Sequence, residues 1–201
     1  MEEKIKNWLG VGAVDIFGRP FSGKDTQARK LAELFGGVVI GGGDILRSHR
    51  DPAKIDEVMK EGGIIPSDFY LNMVVPYLSR PEFSGKPLIL SAVGRAHGEE
   101  ESIIDATQKS GHPLEAVVYL NLAEDEVWKR FEAAKSLDDR GRRSDDDRAA
   151  LQTRLQKFQE RTMPVIEFYR QKGLLVEIDG SLTREAVTTK ILKKLVVRAS
   201  E

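Results

Sequence analysis

The run FGRPFSGKDTQARKLAELFG, Phe17–Gly36, decides how this chain is read. It follows directly on an apolar stretch, VGAVDIF, Val11–Phe17. Gly18 and Gly23 stand five apart, and Lys24, Asp25 and Thr26 come next. A strand, a glycine turn with a lysine, then a helix can cradle a phosphate. Backbone N–H groups converge on the anion, and the helix N-terminus adds partial positive charge. The pattern G-x-x-x-x-G-K-[ST] fails by one place, because Asp25 stands where Ser or Thr is required. A glycine turn beside a surface lysine is the competing reading of this stretch alone. The negative charge next to the lysine needs its own explanation.

Working outward, four more short apolar runs join Val11–Phe17 as expected strands: Val38–Ile40, Pro87–Ala92, Ala116–Asn121 and Leu174–Ile178. They do not alternate, as befits strands covered on both faces. Thr26–Leu34 spaces Ala28, Leu31 and Ala32 as a helix does, and Ala149–Gln171 is a long amphipathic stretch with Pro164 as its expected kink or break. Arg184–Arg198 closes the chain as a further helix. Strands alternating with helices predict one α/β domain over residues 1–201 with a five-stranded parallel sheet. KSLDDRGRRSDDDR, Lys135–Arg148, has almost no apolar side chain, so it is expected as a solvated loop or flap.

Composition narrows the function. The chain has 201 residues, 40% hydrophobic and 31% charged, enough for one buried core. Lysine and arginine total 31 against 32 acids, and a net charge of -1 gives no general attraction to nucleic acid or an acidic membrane. With no cysteine, disulfides, thiolate zinc and cysteine nucleophiles are excluded. No apolar run approaches the ~18 residues of a membrane span, and a cytoplasmic protein is the expectation. His49, His97 and His112 lack metal-ligand spacing and are expected at the surface or in loops. Trp8 and Trp128 are expected to pack, and Met59, Met73 and Met163 to fill core.

The order Gly18-Arg19-Pro20-Phe21-Ser22-Gly23-Lys24-Asp25-Thr26-Gln27 resembles the phosphate loop of adenylate kinases and their nucleoside monophosphate kinase relatives. In that family the threonine follows the lysine by two places, so the failed pattern is expected. Further motifs follow in order. GGGDILR (Gly41–Arg47) resembles S-T-G-D-x-L-R, and GGIIPSDF (Gly62–Phe69) resembles G-x-L-V-P-D. LILSAVGR (Leu88–Arg95) is similar to a strand ending D-G-F-P-R. RRSDDD resembles R-x-D-D, with Arg154 eleven places after Arg143 as in short-lid members. TMPVIEFYRQKGLLVEIDGS resembles the segment that ends in the base loop.

This resemblance implies a P-loop NTPase-type three-layer α/β/α fold, with an acceptor-binding helical segment at 41–73 and a short lid at 131–148. It implies phosphoryl transfer from ATP, with Mg2+, to a nucleoside monophosphate, by a probable monomer with no nucleic-acid or membrane partner. AMP is the first candidate acceptor. Alternatives are GMP, UMP or CMP, or nucleotide binding with weak or no turnover. By the same resemblance Gly18, Phe21, Ser22, Gly23, Lys24, Asp25 and Thr26 hold the donor phosphates, and Arg130, Ser181 and Leu182 its base. Gly42, Arg47, Gly63, Ile65, Ala92, Arg95 and Glu99 line the acceptor. Lys24, Arg95, Arg143 and Arg154 surround the transferring group, for which charge cancellation and positioning matter most. Arg140 and Arg142 are further lid candidates. Asp44 is expected to brace its helix, and Asp145 and Asp146 to hinge the lid, bind ribose or simply face solvent.

The departures are specific. Phe21 and Asp25 replace glycines, Gly42 replaces a threonine, and Ser91 replaces the acid that orders the magnesium's water shell. Asp25 is therefore a candidate metal ligand through water; its alternative is to cap the first helical turn. Glu99 replaces the glutamine that reads adenine. A carboxylate only accepts hydrogen bonds, which suits guanine's two adjacent donors if Glu99 faces the pocket; otherwise Glu99, Glu100 and Glu101 face solvent.

Overall fold

In the computed structural model, which describes residues 1–48, 67–136 and 147–200, the stretch after Val11 becomes β1 (Ala13–Gly18), buried along its whole length. It starts two residues later than predicted because Gly12 donates to the Leu9 carbonyl at 2.7 Å, closing the turn from a first helix, α1 (Glu2–Leu9). That helix had no sequence expectation; Ile5 and Leu9 anchor it. The chain continues through α2 (Lys24–Phe35), β2 (Val38–Gly41), α3 (Gly42–Arg47) and α4 (Ser67–Leu78). Then come β3 (Leu88–Ser91), α5 (Glu100–Lys109), β4 (Leu114–Asn121) and α6 (Glu124–Ser136). After α7 (Arg148–Lys157), a π-turn (Phe158–Thr162) leads into α8 (Met163–Gln171), β5 (Leu175–Asp179) and α9 (Arg184–Arg198).

The sheet is parallel, in the order β2-β3-β1-β4-β5. The predicted five parallel strands are all present, with ends shifted by one or two residues. Alternation along β1 sends Phe17 to one face and Ile16 to the other. Phe17 packs with Leu90, Val117, Ile166 and Tyr169, and so meets α8; Ile16 packs with Leu31, Val118 and Ile191 between α2 and α9. Both faces are covered, which is why the strands read as continuous apolar runs. Each such aliphatic side chain contributes about 1.5–3 kcal/mol when fully buried. Leu31 and Ile191, both inaccessible to solvent, thereby fix α2 and its N-terminus against the sheet.

The long stretch Ala149–Gln171 is helical throughout, and its irregularity is the π-turn just ahead of Pro164. The proline sits in the first turn of α8, where its missing N–H costs nothing. His112 lies in a loop as expected but is buried, with Nδ1 2.7 Å from the Val11 carbonyl. Met73 is core as expected, while Met59 lies outside the described residues. Of the acceptor segment 41–73 and the lid 131–148, the stretches 49–66 and 137–146 also lie outside them. No described helix is long and apolar enough to cross a membrane.

Candidate active site

The carboxyl ends of β1, β2 and β3 and the loop after β5 carry the predicted residues, the usual place for a ligand in a parallel sheet. Gly18 ends β1, and a Cβ there would collide with the Ser22 side chain. Gly23, the N-cap of α2, has φ 89, which glycine adopts without strain. Between them the Ser22 N–H donates to the Arg19 carbonyl at 3.1 Å and closes the turn. The Ser22 hydroxyl is buried and has no hydrogen-bond partner. A buried, unsatisfied donor inside a glycine turn at a helix N-terminus is what a phosphate oxygen would satisfy.

Phe21 has φ 62, a left-handed conformation that costs a bulky residue on the order of 1–3 kcal/mol. Its ring offsets this by packing edge-on to Phe131, centroids 5.7 Å apart, with Leu122, Val127, Leu151 and Leu155 nearby. The glycine turn is thus pinned to α6 and α7, which overlap the two ends of the expected lid at 131–148. Arg130 of α6 donates to the carbonyls of Phe21 at 3.3 Å and Gly180 at 2.8 Å. It ties the cradle to the β5–α9 loop that holds Ser181 and Leu182. Gln27, buried, ties α2 to α9 through the Arg184 carbonyl and the Thr188 hydroxyl.

Asp25 does not cap α2. Its carboxylate accepts from Lys24 Nζ at 3.2 and 3.1 Å and from the Ser91 hydroxyl at 2.6 Å. Partial burial raises the Asp25 carboxyl, but Lys24, the Ser91 hydroxyl and Arg29 outweigh it and hold it below the ordinary range. The carboxylate has therefore moved from the end of β3 to the start of α2 while still touching the end of β3. Among the described residues no cluster of three or more His or acidic side chains could hold a metal alone. Mg2+ needs less, since it keeps several waters and takes one or two carboxylates plus phosphate oxygens. Asp25, ionised and exposed beside Thr26, fits that requirement.

The residues expected to line the acceptor are partly brought together. Gly42 lies against the Ala92 carbonyl, so close that a Cβ would stand 3.1 Å from that oxygen. Ala92 has φ 51, again a non-glycine residue in left-handed backbone. Asp44 accepts from the Gly41 N–H at 2.9 Å and braces α3 as expected. The Arg95 side chain is exposed, and its carbonyl accepts from the Thr162 hydroxyl of the π-turn at 3.0 Å. Arg154 is half-buried on α7. The backbone of Arg47 closes α3, while Gly63, Ile65, Arg140, Arg142, Arg143, Asp145 and Asp146 lie outside the described residues.

Of the three glutamates left open between pocket and solvent, Glu99 and Glu100 are buried and hold the turn before α5, and Glu101 is exposed. Glu99 accepts from the Ala96 N–H at 3.1 Å; Glu100 takes the Gly98 N–H and His97. Burial pushes the Glu99 carboxyl up, against the lowering effect of the Ala96 N–H and Arg95.

Comparison with known proteins agrees with this geometry. The family model described as adenylate kinase matches residues 16–174. The chain is 30% identical to an adenylate kinase of Kosmotoga olearia, over 90% of this chain and 97% of that protein. It is 32% identical to one from Xanthomonas axonopodis pv. citri, with 90% and 97% covered, and 30% identical to one from Thermus thermophilus, with 91% and 97% covered.

Proposed function

Since the chain belongs to the adenylate kinase family and is a nucleoside monophosphate kinase, we propose that ATP is its donor and AMP its acceptor, with two ADP as products. The buried, partnerless Ser22 hydroxyl inside the glycine turn, one residue from Gly23 and two from Lys24, is the observation that carries the donor assignment. An acceptor phosphate oxygen attacks the γ-phosphorus in line. The new O–P bond forms as the bond to the β,γ-bridging oxygen breaks, and that electron pair leaves with ADP. The chain's work is positioning and charge cancellation. The cradle Gly18–Thr26 orients the donor phosphates, and Lys24 offsets charge on the transferring group. Arg47 and Arg95 hold the acceptor phosphate, while Arg143 and Arg154 close over both. Arg130, Ser181 and Leu182 bound the donor base. Closure of the 131–148 lid excludes water that would otherwise accept the phosphoryl group. Mg2+, when bound, would neutralise phosphate charge, held through water by Asp25 with Thr26 beside it. The balanced charge of the chain gives no general attraction to nucleic acid or an acidic membrane, in keeping with free nucleotides as substrates.

Asp25→Gly, which restores the family's residue, is expected to raise the Mg2+ concentration for half-maximal rate about tenfold, as loss of one charged contact does. Ser91→Asp on that background should recover part of it. An unchanged magnesium dependence would leave Asp25 as a tether of Lys24 and Ser91 alone.

The acceptor base turns on Gly42, Ala92 and Glu99. Glu99 is buried and accepts from the Ala96 N–H, and the relatives' name, adenylate kinase, supports AMP. Assaying ATP with AMP, GMP, UMP and CMP tests this: AMP should be used best, and faster use of any other acceptor would overturn AMP. Nucleotide binding without ADP formation would mark the chain as a binder.

A further inference from the structure

We propose that Arg19 is an additional phosphate-binding residue, reaching from the cradle to the point where the donor and acceptor phosphates meet. The proposal rests on the phosphoryl-transfer reading above. It concerns a side chain that carried no sequence signal beyond its place in the loop.

Arg19 follows Gly18, and its own carbonyl closes the cradle turn by accepting from Ser22. Its guanidinium is half-buried at the carboxyl ends of β1 and β4. One N–H donates to the Leu122 carbonyl at 2.8 Å. Two longer contacts reach the Tyr119 hydroxyl and Gln159 Oε1, both at 3.4 Å. The guanidinium carbon stands 5.3 Å from the centroid of the Phe158 ring, within cation–π range. All these partners are neutral.

Three other cations near this cleft have carboxylate partners. Lys24 lies 3.1 Å from Asp25, Arg130 3.6 Å from Glu126, and Arg148 3.1 Å from Glu132. Among the described residues no carboxylate pairs with Arg19. A half-buried cation that faces only dipoles has given up water without gaining an anion. Its position beside an anion cradle makes a phosphate the natural counter-charge. Of the five N–H donors of a guanidinium, three contacts are made and two of those are long. A fork therefore remains for phosphate oxygens, and turning toward them would break only one good hydrogen bond.

The π-turn is a second, independent observation. Phe158 and Gln159 at its start support Arg19, while Thr162 at its end holds the carbonyl of Arg95. The backbone of His97 also donates to the Arg161 carbonyl at 3.0 Å. One five-residue turn thus carries the cradle's arginine and the acceptor loop together. Such local π insertions recur at functional sites, where they re-aim side chains. An arginine seated there lies between the two nucleotides and not at either base.

The test compares Arg19→Gln and Arg19→Lys with wild type. The readouts are kcat and KM with ATP and AMP, melting temperature, and affinity for two probes. One probe is a bisubstrate analogue joining two adenosines through five phosphates; the other is adenosine, which has none. Arg19→Gln should lower kcat/KM and weaken the five-phosphate analogue by about ten- to a hundredfold, the cost of a charge-assisted contact. Adenosine affinity and melting temperature should stay close to wild type. Arg19→Lys should recover part of the loss, keeping the charge without the fork. Analogue affinity and kcat/KM within twofold of wild type would overturn the proposal. So would a loss shared equally by adenosine and accompanied by a drop in melting temperature, which marks a purely structural brace. If wild type bound the analogue but transferred no phosphoryl group, the proposed function would fail, and the analogue's affinity would still decide Arg19.

Discussion

Lys24→Ala is expected to lower kcat by about a hundred- to a thousandfold, the usual loss when one preorganised charge facing a developing negative charge is removed. The lysine opens α2 right after Gly23, so its ammonium works together with the helix N-terminus and the cradle's N–H groups. In this chain it also holds the Asp25 carboxylate at 3.1 Å. Its removal has two consequences: the transferring group loses a cation, and Asp25 loses its neutraliser beside incoming phosphates. The double variant Lys24→Ala/Asp25→Gly separates them. If the loss comes mainly from the missing cation, the double variant stays as slow as the single one at saturating Mg2+. If it comes from an unmasked Asp25, the double variant recovers most of the rate. A melting temperature near wild type is expected for both, because Lys24 is only half-buried and its partner is exposed. Wild-type-like kcat in Lys24→Ala would remove the phosphate cradle as the site of chemistry.

The cradle was legible in the sequence because backbone geometry forces it: the sharp turn needs glycine at Gly18 and Gly23, and the anion needs a helix start after them. The strands were legible because burial on both faces leaves unbroken apolar runs. What escaped has no spacing of its own. Arg19 is one arginine in a loop, and only the folded positions of Leu122 and Phe158 give it a role. The π-turn is a one-residue slip in hydrogen bonding, which leaves no mark in composition; Pro164, two residues past it, is the one sign of it in the sequence. A run of charges gives no direction for Glu99 and Glu100; the N–H groups of Ala96 and Gly98, just before α5, donate to them in the folded chain. The exchange of acid between Ser91 and Asp25 was visible as two coincident departures. That they touch, at 2.6 Å, required the register that sets β3 beside β1 and α2.

Asp15→Asn is expected to stabilise the protein by an amount that grows with pH. Asp15 lies in the middle of β1, hidden in the apolar run VGAVDIF, and no solvent reaches it. Strand alternation sets it on the same face as Ala13 and Phe17, in the cluster with Leu90, Val117 and Tyr169. Neither carboxyl oxygen has a hydrogen-bond partner. Burial therefore pushes the carboxyl up to about 8, and the nearby N–H groups of Ile16, Ala92 and Val93 offset only part of this. Near neutrality the native protein holds Asp15 protonated, while the unfolded chain releases that proton near the ordinary value of 3.8. Between these two values the native state binds the extra proton, so stability falls as pH rises from about 4 to about 8. The penalty at pH 7 is on the order of 4 kcal/mol relative to pH 4. Asparagine keeps the shape and cannot ionise, so its advantage should be small at pH 4 and largest above pH 8. Asp15→Val, which also removes the unsatisfied polar atoms, should add stability at pH 4 as well, by about 1–3 kcal/mol. If, as proposed, Arg95 holds the acceptor phosphate, then KM for the acceptor is expected to rise toward pH 8 in wild type more than in Asp15→Asn, because Ala92 and Val93, whose N–H groups lie near Asp15, lead to Arg95. Denaturant unfolding of the three proteins from pH 4 to 8.5 measures the effect. Parallel stability curves for wild type and Asp15→Asn across that range would show that Asp15 is already ionised and paired in the native state.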